Sequence, residues 1–176
     1  LDGHTGGHYL SALASMIAAG ADTPDGEFQR RLDYMVAELA LCQAERDDGY
    51  VGGVPGGPAM WSDIAAGRID ASGFSLNGKW VPWYNLHKLF AGLRDAHLDA
   101  GNAQAREVLV KLGDWVGTLV SGLSDEQLQQ MLRAEHGGMN EVLADIHALT
   151  GDAKYLRLAR RFVHHAVLDP LMQGED

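Results

Sequence analysis

The chain has one cysteine, Cys42, in 176 residues. A lone thiol excludes an internal disulfide framework, and equally a multi-cysteine zinc site built from this chain alone. Basic clusters are missing as well: 14 Lys and Arg stand against 24 Asp and Glu, for a net charge of −10. No nucleic-acid partner, bound through its phosphates, is therefore expected. No uninterrupted apolar run approaches ~18 residues, so no membrane span or membrane partner is expected either. Alternating β-branched runs, the mark of half-buried strands, are nearly absent. The glycine-rich "DDGYVGGVPGGPAMW" has neither the Lys nor the Ser/Thr of a phosphate-binding loop, and it follows a helical pattern instead of a strand. What is present is 46% apolar residues, enough for the core of one domain. No methionine or signal peptide opens the chain at Leu1, and "LMQGED" is no obvious ending. The sequence therefore reads as a piece of something longer whose targeting signal has been removed.

Helical periodicity predicts six main helices in three pairs, over residues 7–19 with 26–45, 84–100 with 103–120, and 138–149 with 153–167. Short connections, "GADTPD", "GN" and "TGD", join the members of each pair. Gly20, Gly101 and Gly151 suit the left-handed residue that commonly closes a helix. The pairs form an internal repeat. Gly101 and Gly151 are 50 residues apart and Gly20 and Gly101 are 81 apart, the excess nearly matching a glycine-rich insertion over residues 46–79. Helical hairpins repeating at this period mean a solenoid or a closed toroid.

The two members of each pair differ in kind. Second helices carry one apolar stripe among many charges, such as Val108, Leu112, Trp115, Val116 and Leu119, and so have one wet face. First helices are far less charged, as in "HYLSALASMIAA" and "MNEVLADIHAL". Helices apolar nearly all round are buried, which predicts an inner layer of first helices wrapped by second ones. Each inner helix opens oddly, with "DGHTGGHYL", "WVPWYNLHKL" or "EHGGMNEVL". In a two-layer toroid the inner N-termini gather at one end, bringing their free N–H groups and positive dipole ends together. His4, His8, Trp80, Trp83, Tyr84, Asn85, His87, Glu135, His136, Asn140 and Glu141 would meet there. The glycines would let a ligand or a neighbouring loop approach the backbone.

Other conspicuous residues have structural explanations. His97 and His147 lie near the junction ends of their helices, where packing and hydrogen bonding account for them. His164 and His165 are expected to be surface or packing residues of an outer helix. The insertion reads as a rim loop presenting Tyr50 and Trp61. In "GLSDEQLQQMLRAEHGG", Ser124 with Gln127 makes a capping box that starts a short connecting helix, and Asp125 and Glu126 suit its first turn.

Aromatic planes, histidines, amides and carboxylates with few cations suit a neutral polyhydroxyl ligand. Sugar C–H faces stack on Trp and Tyr, and hydroxyls need mixed donors and acceptors. Glycoside hydrolysis also requires two carboxyl-type groups, or one acid and another nucleophile, across the bond. Glu135 and Glu141 are the candidate carboxylates near these helix starts, and nothing in the spacing pairs them.

The segments "GGHYLSALASM", "YMVAELALCQ", "WVPWYNLHKLFAGLRDAHLDAGN", "SDEQLQQMLRAEHGGMNEVLADIHALTGDAKYLRLARRF" and "LDPLMQGED" together resemble the N-terminal half of the β-L-arabinofuranosidase family, glycoside hydrolase family 127 with its sister family 146. The resemblance covers nearly the whole chain apart from the middle of the insertion. It implies an all-α fold, part of an (α/α)6 toroid of the six-hairpin glycosidase type, with about three hairpins present and β-sandwich domains following. It also implies release of arabinofuranose from plant glycans or glycoproteins with retention of configuration. The residues matching the family's sugar-contacting histidines are His87, in "NLHKL", and His136, in "EHGGMNE". Trp80, Tyr84, Asn85, Asn140, Glu141 and His8 complete the expected substrate wall. By the same resemblance the cysteine nucleophile, the acid/base glutamate and a zinc site of cysteines and a glutamate belong to later segments. Cys42 matches none of them, and no catalytic or metal-binding residue is assigned in this chain.

Residues 1–176 are thus expected to be a partial catalytic domain of a secreted or periplasmic enzyme, inactive alone. Self-association through the exposed flanks of its inner helices is also expected. Two other readings stay open on the residues themselves. One is a helical-repeat module binding protein or peptide on its concave face. The other is a different toroid enzyme, such as a sugar epimerase or polysaccharide lyase.

Overall fold

The computed structural model of the chain describes residues 3–135 and 138–175. Among these the fold is helical. The elements are α1 (His4–Ala18), α2 (Glu27–Ala44), α3 (Gly57–Ala65), a hairpin sheet β1 (Ala71–Ser72), β2 (Ser75–Leu76) and β3 (Lys79–Trp80), then α4 (Pro82–Leu98), α5 (Ala103–Leu119), α6 (Asp125–Leu132), α7 (Met139–Thr150), α8 (Ala153–Arg161) and α9 (His165–Met172). The chain divides into two compact units, Leu1–Pro55 with Asn85–Val116, and Gly56–Tyr84 with Gly117–Asp176.

In the first unit α1 and α2 form a hairpin whose junction is tied by side chains. Asp22 accepts from the N–H groups of Thr23, Phe28 and Gln29, at 2.7, 2.8 and 3.2 Å, and Thr23 Oγ1 accepts from Glu27 N–H at 2.8 Å. These side chains satisfy orphan donors at the start of α2. Helix α4 opens with proline, whose missing N–H costs nothing at the first helical position. Its Leu86, Leu89, Phe90, Leu93 and Ala96 are all buried, as are Asn85 and His87. So α4 is largely buried, although it carries Lys88, Arg94 and Asp95. Helix α1 is not. It buries Gly7, Leu10, Leu13 and Ala14 but leaves Tyr9 40% and Met16 43% exposed. Low charge alone does not bury a helix; neighbours do, and α1 packs against α2 and α4 while its remaining face stays open.

Gly7 explains the unusual opening of α1, which starts at His4 and so takes both glycines into the helix. A Cβ at Gly7 would lie 2.0 Å from the Lys88 carbonyl oxygen. The close approach predicted for the glycines is real here, and what approaches is α4.

In the second unit α7 and α8 form the next hairpin. The left-handed Gly151 (φ 73°) closes α7, and Asp152 caps α8 by accepting from Lys154 N–H at 2.8 Å. Helix α7 buries one stripe, Met139, Val142, Leu143 and Ile146, instead of its whole circumference. Ser124 and Gln127 form the predicted capping box at the start of α6. The expected long helix over 153–167 is broken after Arg161. Phe162 and His164 are both buried, and residues two apart in a continuous helix point ~200° apart, to opposite faces. The break lets both turn inward, and α9 starts afresh with His165 N–H donating to Gln129 Oε1 at 3.1 Å. His164 is therefore a packing residue, and His165 is exposed with Nδ1 3.1 Å from Asp169 Oδ1.

The glycine-rich segment holds α3 and the three-stranded hairpin sheet, in which Leu76 pairs with Lys79 and Ala71 with Leu76. Asn77 (φ 47°) and Gly78 (φ 73°) make the tight turn between β2 and β3, the two positive φ angles for which Asn-Gly is favoured. Tyr50 and Trp61 are not presented at a rim. They are 3% and 2% exposed, Tyr50 against Trp115 with ring centroids 4.7 Å apart and Trp61 against Trp83 at the same separation. Large amphipathic rings beside apolar neighbours gain more from burial than a polar loop sequence suggests.

Candidate active site

In the first unit the relevant residues come from the starts of α1 and α4. Asn85 and His87 lie in the first two turns of α4 and are 3% and 8% exposed. His4, the first residue of α1, places Nδ1 3.0 Å from Asn85 Oδ1, so the imidazole N–H donates and the amide oxygen accepts. His8, exposed on the next turn, meets His4 edge-on with ring centroids 5.9 Å apart. Gly3, Gly52, Gly53, Asn85 and Leu86 line a small cleft beside this pair. Its walls are tight: a Cβ at Gly3 would stand 3.3 Å from Gly53 Cα, and one at Gly52 2.7 Å from Tyr50 Oη. Asn85 gives that cleft its polar side chain, and Val54, Leu86 and Leu89 make the rest of its wall apolar.

In the second unit the group is Trp80, Trp83, Tyr84, Glu135, Asn140 and Glu141. Trp83 is fully buried, its indole 4.7 Å from Trp61 and 5.1 Å from Phe162, ring centre to ring centre. Trp80 belongs to β3, two residues ahead of α4, and is 52% exposed. Tyr84 is half-buried. Asn140 and Glu141 lie in the first turn of α7, half-buried and exposed respectively, after the left-handed Gly138 (φ 69°). His136 lies outside the described residues.

Glu135 is the residue whose role the sequence did not reveal. Its Oε1 accepts from Trp83 N–H at 2.6 Å and its Oε2 from Tyr84 N–H at 3.0 Å. These are orphan donors of the first turn of α4. The carboxyl is 6% exposed, and burial pushes it up to about 7, against the opposing pull of the two N–H groups. Sequence spacing could not announce this: acceptor and donors are about 50 residues apart. Glu141, the other candidate carboxylate, keeps its side chain at the surface.

Amide, imidazole, carboxyl and aromatic groups of this kind recognise hydroxyls and sugar faces. They do not by themselves supply a nucleophile; Cys42 is exposed on α2. The sequence pattern of the catalytic domain of β-L-arabinofuranosidases, glycoside hydrolase family 127, matches residues 1–176. The chain belongs to this family. No curated protein matches it.

For a family 127 glycoside hydrolase the substrate is a carbohydrate, and the all-α fold agrees with the expectation drawn from the sequence motifs. Among the described residues no helix is long and apolar enough to cross a membrane. The structure gives Asn85 and His87 to one unit, with His8, and Trp80, Tyr84, Asn140 and Glu141 to the other.

Proposed function

We propose that this chain supplies scaffold and substrate wall to a retaining β-L-arabinofuranosidase acting on plant-derived glycans. The observation that carries this reading is the pairing of His4 with the buried Asn85, on the helix that also carries the buried His87 two residues later. Family membership supplies the reaction class. A buried amide fixed by one histidine and followed by another offers donors and acceptors in a low-dielectric setting, where hydrogen bonds to sugar hydroxyls discriminate strongly. Tyr84 and the half-exposed Trp80 offer faces for sugar C–H groups, and Asn140 and Glu141 further polar contacts.

The nucleophile and the acid/base, on this reading, come from residues outside positions 1–176, and the chain alone does not hydrolyse glycosides. A zinc ion, if the enzyme carries one, is held there too. Among the described residues no group of three or more His, Cys, Asp or Glu is placed to hold a metal ion. The helical hairpins are proposed to be part of an (α/α)6 toroid, and the enzyme to work in the periplasm or outside the cell.

The test is hydrolysis of 4-nitrophenyl β-L-arabinofuranoside by the whole enzyme, against the α-L-arabinofuranoside and β-D-xyloside. Release of β-L-arabinofuranose, seen by NMR before mutarotation, supports the proposal. A preference for either of the other glycosides, or an inverted product, contradicts it.

A further inference from the structure

We propose that Glu135 is a positioning residue: its carboxylate fixes the first turn of α4 and so the direction in which Tyr84 offers its ring to the sugar. The inference rests on placing Tyr84 in the substrate wall.

Three features of the second unit support it. Both carboxylate oxygens are committed to consecutive backbone N–H groups, those of Trp83 and Tyr84. In the ionised form, above the value of about 7 to which burial raises the group, these are two charge-assisted hydrogen bonds on neighbouring amides, which fix an orientation as well as a distance. Next, the clamp is long-range. A Ser or Asp just before α4 would cap it locally. That position instead holds Val81 at φ 39°, a left-handed conformation that is a genuine outlier for a β-branched residue. Strain of this kind persists only where surroundings over-determine the backbone, and it clusters at functional sites. Val81 N–H donates to the Phe74 carbonyl at 3.0 Å, so the hairpin holds one side of the corner and Glu135 the other. Last, the clamp is costly. Glu135 is buried with no charged partner among the described residues, although an exposed cap would serve helix stability as well.

The experiment compares the whole enzyme with its E135Q, Y84A and doubly substituted forms at pH 8, where Glu135 is ionised, using 4-nitrophenyl β-L-arabinofuranoside. Gln keeps the size but turns one acceptor into a donor facing an N–H. E135Q should raise KM on the order of tenfold with kcat changed less than about twofold, since a misdirected binding group weakens ground-state and transition-state binding alike. The effect should vanish in the Y84A background, because the two residues act through one contact. A wild-type KM in E135Q, or effects that multiply in the double variant, would overturn the proposal. Should E135Q fail to fold, E135D keeps the charge on a shorter stem and should raise KM in the same way; a wild-type KM there is equally decisive. Amide exchange gives a readout independent of the substrate. Trp83 and Tyr84 N–H groups should exchange about tenfold or more faster in E135Q, with Leu89 unchanged as an internal reference. Absence of arabinofuranosidase activity in the wild type would sink the assigned reaction alone; faster exchange would still support the clamp, and unchanged exchange would overturn it.

Discussion

Gly92 of α4 lies so close to Gly7 of α1 that a Cβ added to it would stand 2.5 Å from the Gly7 carbonyl oxygen. The same added atom would meet Leu10 Cβ at 2.9 Å. The two helices therefore touch through backbone, and His4 reaches Asn85 because nothing bulkier holds them apart. Gly92→Ala should destabilise the chain by about 1–3 kcal/mol or more, the usual cost of overpacking a tight contact. Gly101→Ala is the control: Gly101 has φ 71° and nothing within 4 Å. It should cost only the left-handed penalty of about 1–2 kcal/mol, and Asn there should cost less. Urea unfolding separates the cases, and equal tolerance of Ala and Asn at Gly92 and Gly101 would contradict the backbone contact.

Glu135 should give stability a pH dependence of unusual sign for a carboxylate. Burial raises its folded-state value to about 7 from an ordinary 4.5, so between those limits the native chain holds a proton that the unfolded chain has released. The stabilisation is complete below the unfolded value and is lost as pH rises through the folded one. Each tenfold change in proton affinity is worth ~1.4 kcal/mol, so the loss approaches about 3 kcal/mol. E135Q stays neutral and lacks this slope. Unfolding in urea at pH 5 and pH 8 should show wild type losing more stability than E135Q. Identical changes in the two proteins would contradict the burial argument.

The junctions of the second and third predicted pairs are built alike. His97 Nδ1 donates to the Asn102 carbonyl at 3.2 Å, and His147 Nδ1 to the Asp152 carbonyl at 3.0 Å. Asn102 Oδ1 then accepts from Ala105 N–H at 2.8 Å, as Asp152 Oδ1 accepts from Lys154 N–H at the same distance. Asn102→Ala and Asp152→Ala should each cost about 1 kcal/mol, whereas Asn102→Ser keeps a capping acceptor and should cost less. Thermal unfolding of the three variants is the check, with equal losses for Ala and Ser at position 102 as the contrary result.

Of the four tryptophans, Trp61, Trp83 and Trp115 are 2%, 0% and 6% exposed, against 52% for Trp80. Acrylamide should quench mainly Trp80, and Trp80→Phe should remove most of the quenchable emission. If Trp80 belongs to the substrate wall, L-arabinose should protect it in the whole enzyme. Quenching that the sugar leaves unchanged would take Trp80 out of the site.

Much of this architecture was legible in advance because helices announce themselves locally. Period, junction glycines and the Ser124–Gln127 box depend on residues a few positions apart, and the hairpins followed from them. The apolar residues Leu86, Leu89, Phe90 and Leu93 marked the buried side of α4 in the same local way. Burial of α1 and α7 was overestimated because low charge records what a helix tolerates, not which neighbours it has. The Asn77–Gly78 turn was present in the sequence as a hairpin signal but was hidden within a segment read only for its glycines. The interruption after Arg161 depends on Phe162 and His164 both finding interior partners, which periodicity cannot show. For the site, the histidine-bearing helix starts were visible as composition. The His4–Asn85 pairing and the grip of Glu135 on α4 are contacts across long sequence separations, and only the folded chain discloses them.

The central claim is that the buried imidazole of His87 contacts the arabinofuranose. The most direct measurement is kcat/KM of the whole enzyme on 4-nitrophenyl β-L-arabinofuranoside, for wild type and His87→Ala, with thermal unfolding in parallel. The account predicts a fall of about 10- to 100-fold, the size of one or two lost hydrogen bonds to substrate, with helix content retained. Unchanged kcat/KM in a folded His87→Ala enzyme would contradict it.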